Sequence, residues 1–92
     1  MEIKVKDFLG EIMAIEDAIL IRDLISKNLG KKITLDFDGL SKVPTTFLCC
    51  LFTDLIYRKG REYIFKQINV KNLSNYENYS RVVRGTAYNY AV

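Results

Sequence analysis

The run Lys32–Ile56, KITLDFDGLSKVPTTFLCCLFTDLI, constrains this chain more than any other stretch. It reads as a buried strand, a sharp corner and a buried helix. Ile33, Leu35 and Phe37 alternate with Thr34, Asp36 and Asp38, the two-residue period of a strand. Asp38-Gly39 ends that run with turn chemistry. Val43-Pro44 sets an extended entry to the next element, because proline disfavours α geometry in the residue before it. Thr45 or Thr46 is then expected to cap a helix by accepting a first-turn N–H. In that helix Phe47, Leu48, Leu51, Phe52, Leu55 and Ile56 form one broad apolar stripe. Thr46, Cys50, Thr53, Asp54, Tyr57 and Arg58 fall on the other side. Asp54 and Arg58 stand at the favourable four-residue spacing, acid first. Gly60 is a stop signal.

Around this unit the chain alternates in the same way. Ile3 and Val5 alternate with Glu2, Lys4 and Lys6, a short strand with one buried face. A helix is expected from about Ala14 to Leu29, with Ala14, Ala18, Ile21, Ile25 and Leu29 as its core line and Glu16, Asp23 and Lys27 opposite. Ile19 and Leu20 flank that charged face. Either the stripe is wide, with Leu20 and Leu24 covering a neighbour, or an apolar patch is left for a partner or a second copy. Arg61–Lys66 reads as a short helix with Tyr63, Ile64 and Phe65 partly buried. Ile68, Val70 and Asn72 read as a third strand. Ser74-Asn-Tyr-Glu77 matches a capping box. It opens a last helix running towards Tyr90, with Tyr76, Tyr79, Val83, Ala87 and Tyr90 on one face and Arg81, Arg84 and Tyr88 on the other. Gly85 falls inside that helix, where it costs about 1 kcal/mol relative to alanine. Strands separated by helices imply crossovers, hence a small α/β domain with a mostly parallel or mixed sheet and helices packed on it.

The 92 residues suit one domain, residues 1–92. Such a core buries roughly 60–65% of the unfolded chain's surface. No apolar run reaches the length of a membrane span, so no membrane contact is expected. The start, MEIKVKDF, lacks the regions of a secretory leader, and the expected location is cytoplasmic. Adjacent Cys49 and Cys50 sit badly for a disulfide on a helix and read as free, structural thiols. The net charge of +3 is mild but uneven: seven bases face three acids from Phe47 onward.

Catalytic chemistry is poorly supplied. The chain has no histidine, the commonest general base and metal ligand. Asp36 and Asp38 share one side of their strand but bring no third ligand, so no metal and no cofactor is expected. One of the two is expected to accept hydrogen bonds in the turn instead. Tyr57, Tyr88, Arg81 and Arg84 are residue types that stack on bases or bind phosphates, at a nonspecific spacing. The expectation is a non-enzymatic chain.

Leu35-Asp36-Phe37-Asp38-Gly39-Leu40, Thr45-Thr46-Phe47, Gly60, Phe65-Lys66 and Ile68-Asn69-Val70 together resemble the small bacterial family of STAS-like domains of unknown function. That family is similar in turn to the STAS domains of anti-sigma-factor antagonists. The resemblance implies a regulatory module. In the antagonists the matching loop carries Asp-Ser-Ser-Gly, and its first serine is phosphorylated by a kinase of the histidine-kinase-like ATPase fold. The position matching that serine is Thr45, which makes Thr45 the candidate phosphoacceptor. Pro44 stands in place of the aspartate and Phe47 in place of the glycine.

The expected function is docking to another protein through the loop Ser41–Thr46 and the adjoining helix face. Its contacts are Ser41, Lys42, Pro44, Thr45, Thr46, Cys50 and Thr53. A regulator or an ATPase of the histidine-kinase-like fold is the partner the resemblance implies. The second choice is a nucleic-acid-binding accessory protein using Arg58, Lys59, Arg61, Arg81 and Arg84. The third is a small mobile-element protein that inhibits a host complex. Self-association through Ile19 and Leu20 fits the patch reading.

Overall fold

Alternation of apolar residues dictates which face of each strand is covered. The computed structural model describes residues 1–10 and 12–85. It contains β1 (Glu2–Lys4), a 3-10 turn (Val5–Phe8), α1 (Ile15–Lys27), β2 (Ile33–Asp36), α2 (Thr45–Lys59), α3 (Arg61–Gln67), β3 (Ile68–Lys71) and α4 (Tyr76–Arg84). The three strands form one sheet in the order β1-β2-β3, and both pairings are parallel. Ile3, Leu35 and Val70 share one register row, and Ile33 pairs with Ile68. All five join the hydrophobic core with the helices.

The alternate rows, Glu2–Thr34–Asn69 and Lys4–Asp36–Lys71, face away from the core and carry no apolar side chain. Parallel sheets are usually covered on both faces. Here the second face is polar and laced with charge among the described residues, and Lys71 Nζ lies 2.9 Å from Glu2 Oε2 across β2.

α2 is the centre of the helical layer and packs against α1, α3 and α4. Phe47, Leu48, Leu51, Phe52 and Leu55 are all buried, as the stripe predicts, and Ile56 is half-buried. Full burial of such side chains is worth roughly 1.5–3 kcal/mol each, so this helix anchors the core. Gly60 separates α2 from α3 at φ 90, a conformation that favours glycine.

Several local expectations give way to longer-range contacts. Val5 is buried but opens the 3-10 turn instead of extending β1. Asn72 does not extend β3: it adopts φ 60 and its Nδ2 donates to Asp36 Oδ1 at 2.8 Å. The capping box does not form. Asn75 stands at the N-cap of α4 without a side-chain cap, and the Ser74 hydroxyl donates to the Ser41 carbonyl. Gly85 is not inside α4 but follows its last residue at φ 66, a left-handed C-cap. It therefore ends the helix instead of weakening it. Ala87, Tyr88 and Tyr90 lie outside the described residues. Leu20 covers no neighbour: it is 60% exposed, and Ile19 is exposed beside it. Leu24 alone turns in, beside Met1, Ile3 and Phe8.

Asp36 closes the corner after β2. Its Oδ1 also accepts the Asp38 N–H at 3.0 Å. The Asn72 bond, the Asp38 N–H and the charges of Lys71 and Lys4 hold this carboxyl below the ordinary aspartate value of 3.8, against the opposing effect of burial. A depressed folded value contributes stability that is complete above the unfolded value and lost as pH falls through the folded one. Thermal melts taken from pH 5 downward are therefore expected to drop less steeply for Asp36→Asn than for the wild type. Asparagine keeps an acceptor oxygen but does not titrate, and parallel slopes would refute the assignment.

Candidate functional site

The corner between β2 and α2 is built outward from buried Phe37. The Leu40 N–H donates to the Phe37 carbonyl at 3.1 Å, with Asp38 and Gly39 between them. Gly39 takes φ 85, and an added Cβ would sit 3.1 Å from the Lys6 side chain. Leu40 is half-buried, Ser41 and Lys42 are exposed, and Val43 plunges into the core. Pro44 brings the chain back out in extended geometry, φ −60 and ψ 143, as the N-cap of α2.

What holds this loop is a set of side chains from the start of α4. Asn75 clamps the Val43 backbone from both sides: its Oδ1 accepts the Val43 N–H at 3.0 Å, and its Nδ2 donates to the Val43 carbonyl at 2.7 Å. Ser74 reaches the Ser41 carbonyl at 3.2 Å. Asn78 Nδ2 donates to Thr45 Oγ1 at 3.0 Å. These residues carry no periodic signal, and a contact across some thirty residues is invisible to local pattern.

The expected threonine cap is absent. No side chain caps α2. Thr45 is its first residue, and its hydroxyl faces α4 instead. The Pro44 carbonyl accepts the N–H of Phe47 at 3.0 Å and of Leu48 at 3.2 Å. The N–H groups of Thr45 and Thr46 have no intrahelical acceptor. No acid stands in the first turn of α2, so its positive end is uncompensated from within. Both threonines are exposed.

From this corner an exposed stripe runs along α2. Thr46, Cys50, Thr53 and Tyr57 recur at four, three and four residues. Cys49, Cys50, Thr53, Asp54 and Tyr57 line a shallow groove whose far wall is Arg22 of α1. Both cysteines are free and half-buried. Tyr57 is 90% exposed. Ile15 and Ile19 share the Arg22 face of α1 by helical spacing and are exposed too. Of the expected contacts, Cys50 and Thr53 share this groove with Arg22, and Thr46 precedes them on the same helical face by spacing. Ser41 and Thr45 meet Ser74 and Asn78 instead, and Lys42 and Pro44 are exposed on the loop.

The five bases expected to meet nucleic acid do different jobs. Arg58 pairs with Asp54 at 3.2 Å and donates to Ser26 Oγ at 3.2 Å. Lys59 lies 5.9 Å from the centre of the Tyr63 ring. Arg81 is exposed on α4. Arg61 and Arg84 line a common cleft between α3 and α4. Among the described residues no group of three or more histidine, cysteine, aspartate or glutamate side chains gathers as a metal site. Nor is any described helix long and apolar enough to cross a membrane.

Comparison with known proteins places the corner within a family. The model of a family described as STAS-like domain of unknown function (DUF4325) matches residues 17–78. The match runs from the first turn of α1 into α4, and so spans the corner, α2 and the clamp. No curated protein and no solved structure gives a match.

Proposed function

The chain belongs to the family of STAS-like domains of unknown function, and from that membership we propose that it is a non-enzymatic regulatory module that docks another protein. The docking surface is the loop 41–46 with the exposed stripe of α2. One observation carries the reading: an outward-facing loop is pinned at buried Val43 by the Asn75 clamp and leads into an uncapped helix end. A loop fixed before binding costs less to order when a partner arrives.

Thr45 is the phosphoacceptor in this reading. A kinase would transfer the γ-phosphoryl group of ATP to Thr45 Oγ1, with ADP leaving and the hydroxyl proton passing to the kinase. The product would meet the positive end of α2, a favourable interaction of about 0.3–1 kcal/mol when exposed. Asn78 Nδ2, already 3.0 Å from that oxygen, remains a donor to it.

Capture from the chain's own cells tests the docking. One protein is expected to stay bound between about 50 and 200 mM salt, a range over which phosphate-mediated nucleic-acid binding weakens steeply. Thr46→Arg and Thr53→Arg are expected to abolish capture with unchanged melting. Asn69→Arg, on the bare face of the sheet, is expected to leave it intact. Nucleic acid recovered only at the lower salt, with no effect of Thr46→Arg, would reverse the proposal in favour of the basic second half.

A further inference from the structure

α3 and α4 border an open cleft of about 330 Å³, lined by Arg61, Glu62, Phe65 and Lys66 of α3 and Arg84 of α4. The two guanidinium groups have different neighbours. Arg84 lies over the Phe65 ring, 4.8 Å from its centre, a cation–π contact that fixes the side chain and occupies that ring face. Arg61 crosses the C-terminal end of α4. A Cβ on Gly85 would come within 2.5 Å of Arg61 Nε, so the Arg61 side chain lies directly against the bare glycine. Gly85 thus both ends α4 and admits the guanidinium.

Charge in the cleft is unbalanced. Lys66 pairs with Glu62 at 3.5 Å. Among the described residues neither Arg61 nor Arg84 forms an ion pair. Among the described residues, two arginines outside any ion pair therefore share one concave surface whose lining acid, Glu62, is paired with Lys66.

The geometry points to a binding site for the phosphate monoester group of a small molecule, held between Arg61 and Arg84. Guanidinium forks match phosphate oxygens with paired, charge-assisted hydrogen bonds. The charges of Arg61 and Arg84, outside any ion pair among the described residues, match a phosphate monoester, which carries close to two negative charges above its second ionisation near pH 6. The volume lies at the small end of ligand pockets, the size of a mononucleotide or less. A long polyanion is disfavoured because Arg58 and Lys59 are engaged elsewhere. This site is separate from the docking corner and stands or falls without it.

Titration of the isotope-labelled protein with phenyl phosphate, with 5′-AMP, with methanesulfonate and with a short single-stranded oligonucleotide tests the site. The monoesters are expected to shift the Nε–H signals of Arg61 and Arg84 saturably, with the backbone amides of residues 61–66 and 84–85. Their affinity is expected to rise about tenfold from pH 5 to pH 7, as the ester becomes a dianion. The chain has no histidine, the side chain that ordinarily titrates in that window. Methanesulfonate, one charge throughout, should bind more weakly and without that rise. Arg61→Gln and Arg84→Gln should each weaken monoester binding at least tenfold. Should either variant fail to fold, the wild-type Nε–H shifts still decide. No saturable shift at the two arginines would overturn the site. So would an oligonucleotide that binds more tightly than the monoesters and shifts Arg58, Lys59 and Arg81 as well.

Discussion

Phe52→Ala is expected to lower the unfolding free energy by about 3–5 kcal/mol, the range for emptying a large aromatic site in a core. Phe52 is wholly buried on α2. Its ring meets Tyr79 of α4 edge-on, with centres 5.3 Å apart and planes at 65°, an arrangement worth about 0.5–1.5 kcal/mol beyond the area buried. The loss falls where α2 holds α4, and α4 directly follows Ser74 and Asn75, which hold the loop 41–46. Small domains hold about 5–15 kcal/mol in total, so the variant should melt at a much lower urea concentration with an unchanged slope. Tyr57→Ala, on the same helix but 90% exposed, should stay within about 0.5 kcal/mol of the wild type. Equal effects at the two positions would show that α2 does not pack as described.

Asn75→Ala is expected to cost about 2–4 kcal/mol. The substitution leaves the N–H and C=O of buried Val43 without partners, and each orphaned buried group costs about 1–3 kcal/mol. Water reaching the loop limits the sum. The effect should be local as well as global: the Val43 amide should exchange with solvent far faster, while amides in the middle of α2 change only by the overall loss. Asn75→Asp keeps an acceptor for the Val43 N–H and loses the donor to the Val43 carbonyl, so it should fall between. If Asn75→Ala leaves Val43 exchange unchanged, the clamp does not hold the loop.

Regular elements were legible in this chain because apolar spacing is a local signal. Ile33, Leu35 and Phe37 specify β2, and the stripe from Phe47 to Leu55 specifies α2. Asp38-Gly39 and Val43-Pro44 mark the corner, and the exposure of Ser41, Lys42, Thr45 and Thr46 follows from it. The devices that hold the corner were not legible, because each joins residues far apart in sequence. Asn75 to Val43, Asn78 to Thr45 and Asn72 to Asp36 span 32, 33 and 36 residues.

Local motifs misled where such a contact competed for the same atoms. Ser74 matches a helix cap yet donates to Ser41, and Thr45 matches one yet accepts from Asn78. Gly85 reads as a weak point in a longer helix, but its positive φ and the Arg61 side chain beside it make it a terminus. The pairing of Arg61 with Arg84 depends on how α3 and α4 meet, which no spacing encodes. At Ile19 and Leu20 the sequence offered two readings, and their exposure rules out the wide buried stripe there.

The docking proposal requires that a partner protein touch the corner at Thr45–Thr46. A photo-crosslinking residue placed in turn at Thr46, at Thr53 and at Asn69, in the chain's own cells, reads that contact where it happens. One discrete protein adduct is expected, shared by the first two positions and missing from the third. Adducts from Asn69 alone, or none from Thr46 and Thr53, would refute the proposal.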